Sequence, residues 1–226
     1  MLMRRLLKSS WVLVLCVALA AVLGACQARG GESAPTTLLA ALTSQAGVAA
    51  TNDERRAAAA DDALNSKPLK LPLSRPKVVV EKAARRLTLH SGGEVVRSFR
   101  IGLGENPEGD KVRAGDRRTP EGIYYVCVKN ARSAFYLSLG INYPNAEDAE
   151  RGLRDGLITR AQYRRIVRAA RSNATPPWNT TLGGEIFIHG GGSQSDWTWG
   201  CVALENEHVK ELFDSLPLGT PVHIEP

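Results

Sequence analysis

A mainly β fold with added helices (α+β) is what this sequence predicts, and three observations predict it. From Lys77 onward, short runs rich in β-branched residues recur between turn-forming residues. Ser91-Gly92-Gly93 separates two of those runs as a hairpin signal. Within this part, helical periodicity marks only two stretches, after Thr159 and after Asn206. With 226 residues, 43% hydrophobic and 23% charged, the chain is long enough for one good core.

Val78-Val79-Val80 is the first strand, and Arg86–His90 and Val95–Ile101 flank the hairpin turn. A loop through Thr119-Pro120-Glu121-Gly122 leads into Ile123–Val128, an alternating strand that contains Cys127. Ile186–His189, Cys201–Leu204 and Pro221–Ile224 complete the β core. Thr159-Arg160-Ala161-Gln162 has capping-box form, and Tyr163, Ile166, Val167 and Ala170 follow at helical spacing. The other face of this inserted helix carries Arg160, Arg164, Arg168 and Arg171. It is either a solvated face or a basic flap over the site groove, turned to carboxylate-rich or phosphate-rich surroundings. Asn206 is expected to cap a second, short helix over Glu207–Asp214, with Val209, Leu212 and Phe213 inward.

The N-terminus is of another kind. Arg4, Arg5 and Lys8 precede a fifteen-residue charge-free run, Trp11–Ala25. That is short of the roughly 20 residues a spanning helix needs, so residues 1–25 read as a signal peptide. The run ends Leu23-Gly24-Ala25-Cys26, which resembles a bacterial lipobox. Cys26 would then be lipidated and tether the protein to a membrane without spanning it; the alternative is an ordinary signal with an incidental cysteine. Gln27 rather than Asp follows, which in that sorting pattern favours the outer membrane and a periplasm-facing lipoprotein. Residues 26–76 are Ala/Ser/Pro-rich and read as a tether, with a short exposed helix around Ala57–Ala60. As flexible coil, such a segment reaches about 40 Å. Residues 77–226 are expected to form the folded domain. Without residues 1–25, twenty-six Lys and Arg face twenty-three Asp and Glu, a net +3 that gives nucleic-acid binding no support.

Cys16 leaves with the signal and Cys26 goes to lipid, so Cys127 and Cys201 remain. Two cysteines in an exported chain can form a disulfide. Against that, Cys201 follows Gly200 and stands twelve positions after His189, which itself precedes Gly190. A thiol acts as a nucleophile only as thiolate and needs a neighbour to take its proton. Cys201 is therefore the candidate nucleophile and His189 the candidate general base and acid. The backbone N–H groups of Gly200 and Cys201 are candidate oxyanion donors. Ser195, Asp196, Thr198 or a backbone carbonyl would orient the imidazole, and Asp116 fixes its own turn. Arg117 and Arg118 are either substrate-carboxylate contacts or solvent-exposed. Trp197 and Trp199 either line the groove or pack, and Thr198 joins them as a substrate-side candidate. His90, His208 and His223 read as ordinary structural residues, and Cys127 as a small core residue. A zinc site from His189, Cys201 and His208 fits no closed ligand spacing, so neither metal nor cofactor is expected.

Three segments resemble the L,D-transpeptidases of bacterial cell-wall metabolism (YkuD-type domain). Gly115-Asp116-Arg117-Arg118-Thr119-Pro120-Glu121-Gly122 matches the family's Gly-Asp-x-x-Thr-Pro-x-Gly loop. Ile188-His189-Gly190 matches its histidine-glycine strand, and Thr198-Trp199-Gly200-Cys201-Val202 its Ser/Thr-x-Gly-Cys-Ile/Val signature. The resemblance spans roughly Lys77 to Glu225 and implies that family's β-sandwich or barrel. It implies a Cys201 thioacyl-enzyme formed on peptidoglycan stem peptides at diaminopimelate, resolved by an amine. Where many members carry His and Arg, this chain has Trp199 and Ala203. Separately, Phe135–Asn145 and the Ser195-Asp196-Trp197-Thr198 run are similar to a branch that includes murein L,D-endopeptidases cutting lipoprotein–peptidoglycan links. That branch implies water as acceptor and a peptidoglycan-linked lipoprotein as partner. A non-catalytic peptidoglycan-binding lipoprotein is the reading from another class.

Overall fold

The computed structural model describes residue 52 and residues 55–226. The segment expected to be a signal peptide, Cys26 and the first half of the expected tether lie outside the described residues. Eight strands form one mixed sheet: β1 (Lys77–Glu81), β2 (Arg86–Ser91), β3 (Glu94–Arg100), β4 (Gly122–Ser133), β5 (Tyr136–Ile141), β6 (Phe187–His189), β7 (Val202–Ala203) and β8 (Pro221–Glu225). Three helices complete the order: α1 (Ala146–Arg154), α2 (Arg160–Arg171) and α3 (Asn206–Ser215). A further helical stretch covers residues 55–65.

The sheet order is β3-β2-β1-β8-β4-β5-β6-β7. β1–β8 and β6–β7 pair in parallel and the rest antiparallel. The expected α+β class is present, with an unclosed sheet in place of a barrel. Its two edges still meet, because Gly102, just past β3, makes an isolated bridge to Ala203 of β7. A side chain on Gly102 would reach within 2.3 Å of the Ser195 carbonyl oxygen, so this approach requires glycine.

The period of two puts Val78 and Val80, Leu87 and Leu89, and Val222 and Ile224 on a buried face. Val209 and Leu212 of α3 pack with that face in the main core. Each such side chain contributes about 1.5–3 kcal/mol on burial. A smaller core of Ala149, Ile158, Ile166 and Leu182 joins α1 to α2.

Four expectations change. β5 and α1 are additional elements. Glu205, not Asn206, is the N-cap of α3, and it makes no side-chain cap bond. The Asn206 amide oxygen instead accepts the Gly191 N–H at 3.0 Å, which ties α3 to the loop after β6. Finally, order begins before Lys77. Asn65 exchanges two hydrogen bonds with the Ser98 backbone, and Arg97 donates to the Lys67 carbonyl. Leu69 and Leu73 pack on the main core.

Candidate active site

The short strand β6 ends on His189, and the short strand β7 begins directly after Cys201. Their parallel register pairs Ile188 with Val202 and His189 with Ala203, so Phe187 lies opposite Cys201. Alternation then puts Phe187, His189 and Cys201 on one face. His189 and Cys201 stand one strand over and two residues along from each other. That is about 8 Å between Cα atoms.

Backbone geometry fixes the position of Cys201. Gly200 has φ +122°, and a Cβ there would lie 2.5 Å from the Arg118 carbonyl oxygen. Thr198 Oγ1 donates to the Cys201 carbonyl at 2.8 Å and accepts the Gly200 N–H at 3.1 Å. Thr198 is 4% exposed with both hydroxyl functions used. It holds the turn. The Gly200 N–H, spent on Thr198, is removed from the candidate oxyanion donors, which leaves the N–H of Cys201.

The Cys201 sulfur accepts the Phe187 N–H at 3.4 Å, and its S–H donates to the Glu185 carbonyl at 3.6 Å. Burial pushes this thiol up to about 11, against the Phe187 N–H and the Lys111 charge, which favour the thiolate. Cys127 is also free, so the two cysteines form no disulfide. Cys127 is half-buried, and burial raises its thiol too.

His189 is 3% exposed. Its Nδ1 lies 2.6 Å from the Gly190 carbonyl oxygen, an acceptor, so Nδ1 carries the proton and Nε2 keeps its lone pair. Burial pulls the imidazole below its ordinary 6.5, while the Gly190 carbonyl opposes that shift. The orienting group is thus a backbone carbonyl. Asp196 is paired with Arg85 at 2.7 Å and accepts the Leu103 N–H at 2.9 Å, away from that role.

Phe135, in the β4–β5 turn, stacks on His189 with ring centroids 4.7 Å apart. Trp197 meets the same imidazole edge-on at 5.5 Å. Trp197 donates its indole N–H to the Gly192 carbonyl and so packs beside the histidine. The sequence gives no periodic signal for Phe135; only the β4–β5 hairpin carries it there.

The 110–121 loop supports the site from behind. Asp116 accepts N–H groups of Val112, Arg113 and Arg118 and the Lys111 ammonium at 2.7 Å. Burial raises its carboxyl, but these donors outweigh that and hold it below the usual value. Arg117 pairs with Glu105 and stacks over Trp199 at 5.4 Å. Trp199 is 73% exposed at the rim beside Cys201. Arg118 reaches the Asp110 carbonyl at 3.4 Å, within its own loop. His90 bonds Thr88 and His208 stacks on Phe99, outside this cluster.

A family model of the L,D-transpeptidase catalytic domain (YkuD) matches residues 75–224. No curated protein matches the chain. Among solved structures, the helical cell shape determining protein Pgp2 from Campylobacter jejuni is 21% identical, with 73% of this chain and 55% of that chain covered and a TM-score of 0.44. Bd1075 of Bdellovibrio bacteriovorus is 23% identical, with 67% and 48% covered and a TM-score of 0.45. The L,D-transpeptidase of Xylanimonas cellulosilytica is 18% identical, with 70% and 64% covered and a TM-score of 0.40. The chain thus spans between 48% and 64% of the length of these three. Cys201, His189 and the Asp116 loop all fall inside the matched residues, and the chain belongs to the L,D-transpeptidase (YkuD) catalytic-domain family.

Proposed function

We propose that this chain is a cysteine-dependent peptidoglycan enzyme of the L,D-transpeptidase family, working on stem peptides at diaminopimelate through a thioacyl-enzyme. One observation carries the reading: a thiol and an imidazole on one face of adjacent strands, with Nδ1 committed to Gly190 and Nε2 free. Both groups are neutral at rest, since burial raises the thiol and lowers the imidazole.

Nε2 of His189 takes the Cys201 proton as the sulfur attacks the amide carbonyl. The Cys201 N–H faces the developing oxyanion. Collapse breaks the C–N bond, and the imidazolium returns its proton to the leaving amine. The thioester carbonyl then accepts an amine, which makes a new amide, or water, which makes a free carboxylate. Either attack regenerates the thiol.

A second reading, hydrolysis, is favoured by position 203. Ala203 is fully buried opposite His189, at a position where the family resemblance implies an arginine in many members. With no cation there to seat an acceptor carboxylate, water competes better. Under this reading the enzyme is an endopeptidase or carboxypeptidase that releases D-alanine or a peptidoglycan-linked lipoprotein. Anchoring through Cys26, facing the periplasm from the outer membrane, puts it near such substrates. Incubation with purified peptidoglycan and mass spectrometry of the products separates the two. A new cross-link or exchanged D-amino acid means transpeptidation, and loss of the C-terminal group alone means hydrolysis. Unchanged peptidoglycan, with the Cys201 thiol intact, refutes both.

A further inference from the structure

Helix α2 carries a concentration of charge that the active-site chemistry does not use. Arg160, Arg164, Arg165, Arg168 and Arg171 lie within its twelve residues, all are exposed, and the helix has no acidic residue. Among the described residues none of the five makes an ion pair, although ten ion pairs occur elsewhere. The chain from Cys26 onward has a net charge of +3, so this helix alone holds more positive charge than the whole, and the remainder is net acidic.

That segregation is costly to the helix itself. Arg160–Arg164 and Arg164–Arg168 are like-charge pairs at i,i+4, and Arg165–Arg168 and Arg168–Arg171 at i,i+3; each disfavours the helix. Arg160 also sits in the first turn, against the macrodipole. A face that only had to stay solvated would gain from a Glu at any of these spacings. The helix holds its shape by other means. Thr159 and Gln162 close a capping box, Ile166 is fully buried, and the Tyr125 hydroxyl donates to the Ala174 carbonyl at 2.9 Å just beyond its end.

The helix also belongs to the body that carries the site. The chain leaving it runs through Trp178, which packs edge-on against Phe187 at 5.8 Å, and the Phe187 N–H contacts the Cys201 sulfur. Guanidinium groups suit carboxylates, which they can grip with two parallel hydrogen bonds.

We propose that the α2 arginine stripe is a second binding surface for the carboxylate groups of the peptidoglycan polymer, which holds the wall while one stem peptide enters the Cys201 site. The choice of polymer rests on the function proposed above; the existence of a polyanion-binding face does not. The stripe runs about 16 Å along the helix, long enough to meet several carboxylates at once. Each contact is weak alone, and the surface works by their number.

The test uses the full chain and a triple variant, Arg164→Gln/Arg168→Gln/Arg171→Gln, beside the matching triple lysine variant. Glutamine keeps helix propensity and removes repulsion, so the thermal melt is expected to be unchanged or higher. Co-sedimentation with purified peptidoglycan sacculi at low salt is expected to weaken roughly tenfold in the glutamine variant and less in the lysine variant. Wild-type binding is expected to fall with added salt. Turnover of a soluble monomeric stem peptide is expected to be equal in all three proteins, while turnover of sacculi falls with binding. Equal sedimentation of wild type and glutamine variant overturns the proposal. So does salt-sensitive binding to phosphatidylglycerol vesicles without binding to sacculi. If the soluble peptide is never turned over, the proposed activity fails, and the sedimentation arm still decides the stripe.

Discussion

The Cys201–His189 pair and the 110–121 loop lie against each other and treat ionisable groups in opposite ways. In the loop, buried and half-buried charge is paired: Lys111 with Asp116 at 2.7 Å, Asp110 with Arg151 at 2.8 Å, and Glu121 with Lys82 at 2.6 Å. At the pair, a buried imidazole and a half-buried thiol have backbone hydrogen-bond partners only, and desolvation keeps both neutral. Removing one charge of a buried pair costs stability, because its partner is stranded. Removing a neutral, reactive group costs chemistry and little else. Paired burial here builds the frame, and unpaired burial marks the site.

The largest expected effect is on the reactive side. Cys201→Ala and His189→Gln should each lower turnover of a stem-peptide substrate by at least about 10³-fold, measured as kcat/KM. The Cys201→Ala melt should stay close to wild type. Turnover retained in Cys201→Ala would mean a wall-binding protein or a different nucleophile.

On the structural side, Asp116→Ala should cost about 3–5 kcal/mol in chemical denaturation, since it strands the Lys111 ammonium. The sign with pH follows from the depressed carboxyl. Its contribution is full above the ordinary aspartate value of 3.8 and is lost as pH falls through the lower folded value. Wild type and variant should therefore converge in strong acid.

Thr198→Val lies on the border of the two regions. Losing the hydroxyl that serves both the Cys201 carbonyl and the Gly200 N–H should cost about 1–2 kcal/mol. It should lower kcat more than it raises KM, because the turn beneath the nucleophile loosens.

The smallest effect, and the sharpest for the comparison, is the pH profile. With a neutral thiol and imidazole, kcat/KM should rise through a single limb below pH 6.5 as His189 loses its proton. It should then stay flat until the thiol ionises near pH 11. A bell falling away above neutral pH would indicate a thiolate–imidazolium pair and erase the contrast with the loop.

What could be read from the sequence divides along similar lines. The strands with alternating β-branched residues were legible, as was α2, whose Thr159/Gln162 box forms as expected. β5 was not, because Gly140 interrupts its pattern; a Cβ there would lie 2.5 Å from Val128. Nor was α1, whose polar sequence has little apolar stripe and relies on the Asn145–Asp148 capping box. Asn206 has cap chemistry, but its side chain is drawn to the Gly191 N–H by a contact from another part of the fold. Cys201 and His189 stood out as candidates because glycine, cysteine and histidine at that spacing have few structural uses, and the β6–β7 register puts them on one face. Phe135 and the Gly190 carbonyl were not, since hairpin geometry and a backbone atom leave no mark in residue type. The turn-holding bonds of Thr198 left no mark in its position along the chain, because they are made to backbone atoms.

The most direct test of the Cys201–His189 account is to trap the acyl-enzyme. Wild-type protein is incubated with a soluble tetrapeptide-stem muropeptide, quenched in acid and measured as intact mass and as peptides. The expected result is an acyl adduct on the peptide that contains Cys201, with the proton-accepting role of His189 seen as slower adduct formation in His189→Gln. Substrate turnover with Cys201 unmodified at every time point, and the same turnover after Cys201→Ala, would contradict it.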